Sequence, residues 1–139
     1  MKTKGLFGLL FAVTLLGATS AGCAHDLVLS VEAPRDLNGE RPVRMLVRAV
    51  DRHDFVTESY GAVAEKVVNR DDSVLLSAPI YPDIIHEAKI KRPSDKSIAV
   101  YFFFTAPGAQ WKTLLETPLP DGAEIRLASD SIRAVRRLQ

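Results

Sequence analysis

Three histidines, one cysteine and one pair of adjacent carboxylates are the side chains from which an active site or metal centre would have to be assembled. His25, His53 and His86 are widely separated, and no His-x-x-x-His pair or other ligand spacing links them, so the pattern of a metal site is missing. The lone cysteine, Cys23, excludes an intramolecular disulfide framework and any multi-cysteine cluster. Neither a Gly-x-Ser-x-Gly turn nor a phosphate-cradling glycine loop occurs, so no nucleophile with a partnered base is visible. Asp71 and Asp72 read as a solvated turn ahead of a strand rather than as an acid–base pair. Trp111, placed after a turn, reads first as a core plug and second as an interface anchor. Eighteen basic and 17 acidic residues give a net charge of +1, which lacks the surplus that drives nucleic-acid binding. These residues predict a protein that is not an enzyme, with no cofactor, no metal and no nucleic-acid partner.

The elements that carry these residues belong to one domain. A chain of 139 residues, 47% hydrophobic and 25% charged, has the apolar content for one packed core. The first 22 residues stand apart. Lys2 and Lys4 precede an apolar run at 6–16, and small or polar residues then lead into Cys23, the layout of a cleaved signal peptide. The alternative is an uncleaved anchor, because the uncharged stretch 5–24 just reaches the roughly 20 residues that a span needs. Its strongly apolar part, however, would extend only about 16 Å as a helix. Ser20-Ala21-Gly22-Cys23 resembles the bacterial lipobox, in which the cysteine is acylated and becomes the new N-terminus. Cleavage by the ordinary signal peptidase is the other route, but it would leave a spare thiol in an oxidising compartment. The expected mature chain is residues 23–139, with 16 basic and 17 acidic residues, a periplasmic domain held by lipidated Cys23. Acyl chains contribute about 0.8 kcal/mol per buried CH₂, so several of them anchor firmly. Ala24, following the cysteine where Asp resembles an inner-membrane retention signal, suggests the outer membrane.

Within the mature chain, period-two alternation marks strands. Leu27, Leu29, Val31 and Ala33 share one face, and Val43, Met45, Val47 and Ala49 share another, with Arg44 and Arg48 pointing out. Residues 34–42 between them, with two prolines and Asn38-Gly39, form a turn-rich loop. Tyr60, Val63, Ala64 and Val67 recur at helical spacing, with Thr57 as N-cap and Asn69 as the stop. Further strands are expected at 74–77, stopping before Pro79, and at 84–91, 98–104, 123–127 and 131–136. The run at 98–104 is apolar on both faces and so should be central, and the arginines of 131–136 suit an edge. Short strands, frequent prolines and one helical insertion predict an all-β, two-sheet β-sandwich with one short inserted helix.

The order of features, carried by NGERPV, VRAVDRHDF and IAVYFFFTAPGAQWK after a lipobox, resembles the TssJ family. That family comprises outer-membrane lipoproteins of the type VI secretion system's membrane complex. The resemblance implies a transthyretin-like sandwich with a helical addition. It also implies a partner, the periplasmic domain of the large inner-membrane TssM-type subunit, engaged through the loop between the first two strands. Carried onto this sequence, that loop is Arg35, Asp36, Leu37, Asn38, Gly39, Glu40 and Arg41. Leu37 is expected at an apolar tip framed by charges, so excising 37–40 should abolish assembly and leave unfolding nearly unchanged. A stand-alone periplasmic ligand-binding or enzyme-inhibitor lipoprotein is the competing reading, since fold alone does not decide function.

Overall fold

The computed structural model describes residues 25–139, so the expected signal peptide and Cys23 lie outside the described residues. Eight strands and two short helices follow in the order β1 (Leu27–Glu32), β2 (Val43–Val50), α1 (Arg52–Thr57), α2 (Tyr60–Val68), β3 (Val74–Ile80), β4 (Ile85–Ile90), β5 (Ser97–Phe103), β6 (Lys112–Leu115), β7 (Gly122–Leu127) and β8 (Ile132–Leu138). They form two four-stranded sheets, β4-β1-β7-β8 (sheet A) and β3-β2-β5-β6 (sheet B). Among the described residues every pairing is antiparallel except that of β1 with β7. The expected two-sheet sandwich is the observed architecture.

Alternation explains how the sheets close on each other. Leu27, Leu29 and Val31 of β1 meet Val43, Met45 and Val47 of β2, with Ile98, Val100 and Phe102 from β5 and Ala123, Ile125 and Leu127 from β7. Strands β2 and β5 are also apolar on their other face because the helices cover sheet B. There Leu46, Val50, Ala99 and Tyr101 pack under Val63, flanked by the half-buried Phe55 and Trp111. Trp111 sits 4.8 Å from the Tyr60 ring and 5.7 Å from Tyr101, a packing role as expected.

Several local expectations need correction. The insertion is two helices, not one. Thr57 ends α1, and Ser59 caps α2 by accepting a hydrogen bond from the Ala62 N–H at 3.2 Å. Helix α1 buries no residue, so it carries no apolar stripe for the sequence to advertise. Strand β3 passes through Pro79 to Ile80, because it is an edge strand and a missing N–H there costs no ladder bond. Strand β6 is only four residues long, too short to show a period. Arg44 is exposed as expected, but Arg48 is buried beneath the helices. Its Nε donates to Ser73 Oγ at 2.9 Å and its guanidinium pairs with Glu58.

Candidate functional site

Strand order divides the sandwich into two ends. At the root end, β1 begins at Leu27 beside the starts and finishes of its neighbours, with Leu27 opposite Ile90, Val28 opposite Gly122, and Gly122 opposite Leu138. The opposite, far end carries the connections 33–42, 81–84, 104–111 and 128–131. The loop singled out from the sequence therefore lies one strand length away from the point where the chain leads back to Cys23.

Hydrogen bonds bind the far-end loops into one cap. Asn38 is the central tie. Its N–H donates to Ser129 O at 2.7 Å, its Oδ1 accepts from Thr105 N at 2.9 Å, and its Nδ2 donates to Pro42 O at 3.3 Å. Ala33 N donates to Ile84 O at 3.2 Å and Asp83 N to Pro34 O at 3.3 Å, joining the connection 81–84 to the same body. Within the loop, Leu37 N reaches Pro34 O, Gly39 N reaches Asp36 O, and Arg41 N reaches Leu37 O at 3.0 Å. Asn38, Gly39 and Glu40 adopt successive left-handed conformations, with φ of 48°, 66° and 62°. Asparagine and glycine take this region readily, whereas Glu40 is held there by the bonds around it.

The expectation for Leu37 is overturned. Its side chain has 0% exposure and belongs to the main core between the sheets, so it plugs the sandwich and presents no apolar tip. Excision of 37–40 would therefore open the core. Asn38 is half-buried, and the loop's exposed residues are Arg35, Asp36, Gly39, Glu40 and Arg41. One surface was missed from the sequence. Tyr81 (50% exposed), Ile84 (50%) and Ile85 (65%) stand beside this loop. The signal was an apolar run through a Pro82-Asp83 turn, which reads as a strand start unless the turn is seen.

The remaining chemistry-bearing side chains serve the fold. His53 lies in α1, and His86 Nε2 accepts from Tyr81 N at 2.9 Å. The Asp71 carboxylate, held by Lys66 and Ser73, titrates well below the usual carboxylate range, and it closes the turn before β3. Burial pushes the Tyr101 hydroxyl up to about 12. Burial lowers the Lys112 ammonium, which bonds Phe55 O and lies 4.6 Å from the Phe55 ring centroid. Among the described residues no three His, Cys, Asp or Glu side chains converge on a metal-sized site, and no helix is long and apolar enough to cross a membrane.

Residues 44–127 match the family described as IglE, N-terminal domain, which spans more than half of the chain. No curated protein matches. Among solved structures, the chain is similar to the type VI secretion lipoprotein TssJ1 from Pseudomonas aeruginosa, with a TM-score of 0.63 and 14% identity over 84% of this chain and 98% of that one. It is similar to Serratia marcescens Lip, described as a membrane-bound component of the type VI secretion system, with a TM-score of 0.59 and 16% identity over 84% and 99%. A chain in the structure described as the type VI protein TssM C-terminal domain from EAEC matches with a TM-score of 0.62 and 13% identity, over 82% and 99%. At these identities the likeness is one of fold, and the shared fold is that of TssJ lipoproteins.

Proposed function

The chain belongs to the family of the IglE N-terminal domain, and we propose that it is the outer-membrane lipoprotein of a type VI secretion membrane complex. In this reading residues 1–22 are cleaved, Cys23 carries the acyl chains, and the domain faces the periplasm. It catalyses nothing and works as a bracket. Its far end binds the periplasmic domain of the TssM-type inner-membrane subunit through Arg35, Asp36, Asn38, Gly39, Glu40 and Arg41, with Leu37 bracing the loop from within.

One observation supports this reading: the start of β1, from which the chain leads back to Cys23, and the loop lie at opposite ends of the same strand. Only Ala24, His25 and Asp26 separate Cys23 from Leu27, a reach of about 14 Å at roughly 3.5 Å per residue. The six residues of β1 add about 20 Å at roughly 3.3 Å each. The tether thus keeps the root end close to the lipid, and the rigid strand directs the loop away from it. Because the loop is already ordered by Asn38, docking loses little conformational entropy there.

The test is a pull-down of the large subunit from detergent-solubilised envelope by the full-length lipoprotein. Reversing the exposed Arg35 and Arg41 to glutamate should weaken capture at least tenfold with thermal unfolding unchanged. Metabolic labelling with a palmitate analogue should mark the wild type and spare Cys23→Ser. Capture at full strength by the charge-reversed protein would remove the loop from the interface. Retention of no secretion subunit at all would favour the stand-alone lipoprotein.

A further inference from the structure

We infer that Tyr81, Ile84 and Ile85 are the apolar anchor with which the far end grips its partner, an inference that rests on the docking role proposed above. With Leu37 in the core, the loop 33–42 offers a partner charged and polar groups almost alone. Such groups set orientation and association rate more than affinity, so the attraction needs an apolar source nearby. Among the described residues seven large hydrophobic side chains are exposed, and three of them fall within residues 81–85, the connection from β3 to β4 and the first residue of β4. Val28, Val56, Val68 and Val135 are scattered singly, as on any surface.

The connection is stiff as well as apolar. Asp83 takes a left-handed φ of 65°, and its N–H is bonded to Pro34 O. The Ile84 carbonyl is bonded by Ala33 N, and the Tyr81 ring stacks on His86 with centroids 6.2 Å apart. Tyr81, Ile84 and Ile85 join neither of the two core clusters. They are held out of the core in fixed positions, where burial on a partner would gain apolar contact with little ordering.

The occupant is the same protein surface that meets Arg35 to Arg41. Main-chain bonds from Ala33 and Asp83 fuse the connection to that loop, so a body seated on one touches the other. The partner is then expected to present an apolar recess edged by groups complementary to Arg35 and Asp36. A lipid surface is disfavoured as the occupant, because a three-residue tether puts the membrane at the other end of β1.

The experiment compares three full-length proteins in detergent: I84S/I85S, R35E/R41E, and the control V68S on α2. Each is scored by capture of the large subunit, with thermal unfolding, sedimentation and flotation with lipid vesicles measured alongside, and Tyr81→Ala serves as a second probe of the patch. I84S/I85S should lose at least tenfold in capture, V68S should be unchanged, and all should unfold near the wild-type temperature. Full capture by both I84S/I85S and Tyr81→Ala, with R35E/R41E weakened, overturns the anchor and leaves the loop reading standing. Full capture by every variant overturns the docking end itself. If I84S/I85S abolishes only self-association in sedimentation, or only flotation with vesicles, the occupant is a second copy or lipid and the inference is wrong.

Discussion

Replacing Leu37 by alanine should destabilise the domain although the residue lies in a loop. The side chain is fully buried among the residues that join the two sheets. Truncating a buried leucine costs about 2–5 kcal/mol, made up of lost transfer energy and the cavity that remains. The cavity has little freedom to collapse, because Asn38 beside it is tied to Ser129, Thr105 and Pro42. The low end of that range is therefore excluded, and a loss of about 3–4 kcal/mol is expected. A domain of this size gains unfolding entropy such that 1 kcal/mol shifts the midpoint by about 4 °C, so the midpoint should fall by roughly 12–16 °C. Thermal unfolding followed by circular dichroism reads this directly, and urea unfolding should show a lower midpoint at an unchanged slope. Capture of the partner, measured well below the midpoint, should be nearly normal. A midpoint shift below about 4 °C, or a loss of capture in a fully folded sample, would refute the core-plug argument.

Glu58→Ala should cost about 2–4 kcal/mol in urea unfolding, because it leaves the buried Arg48 guanidinium without its carboxylate; replacing the pair together by Arg48→Met and Glu58→Leu should recover much of the loss, and equal losses would contradict this. Tyr101 should resist ionisation when absorbance is titrated, since burial raises its hydroxyl to about 12. Its folded value lies above the unfolded value of about 10, so the stability it contributes is complete below pH 10 and falls as pH rises toward 12. Three tyrosines titrating together near pH 10 in folded protein would be the contrary result.

How legible the fold was in the sequence follows from where each residue's partners lie. β1, β2, β5 and β7 were readable because alternation records a face buried against the other sheet, and the double-sided apolarity of β5 recorded its cover. Arg48 was not, since a charged residue on an outward face is solvated unless another segment supplies a counter-ion, and Glu58 does so from ten residues along. Leu37 misled for the same reason. Turn residues around it predict exposure, and its burial comes from distant segments: it packs into the core between the sheets, and Asn38 beside it is tied to Ser129 and Thr105. The loop's bounds and charges were readable, but its position at the end of the sandwich opposite the start of β1 depends on strand order, including the parallel pairing of β1 with β7. Tyr81, Ile84 and Ile85 were hidden by their own composition, because an apolar run around a turn is indistinguishable from a strand start.

A domain tethered at one end and docked at the other, as proposed above, should present only its far end to the large subunit. Photo-crosslinking in intact cells tests it most directly, with the reactive side chain placed at Asp36 on the far end or at Ser94 on the root end, both exposed. Irradiation should join the Asp36 probe to the large inner-membrane subunit, and the Ser94 probe should yield no such adduct. An adduct with that subunit from Ser94 and none from Asp36 would contradict it.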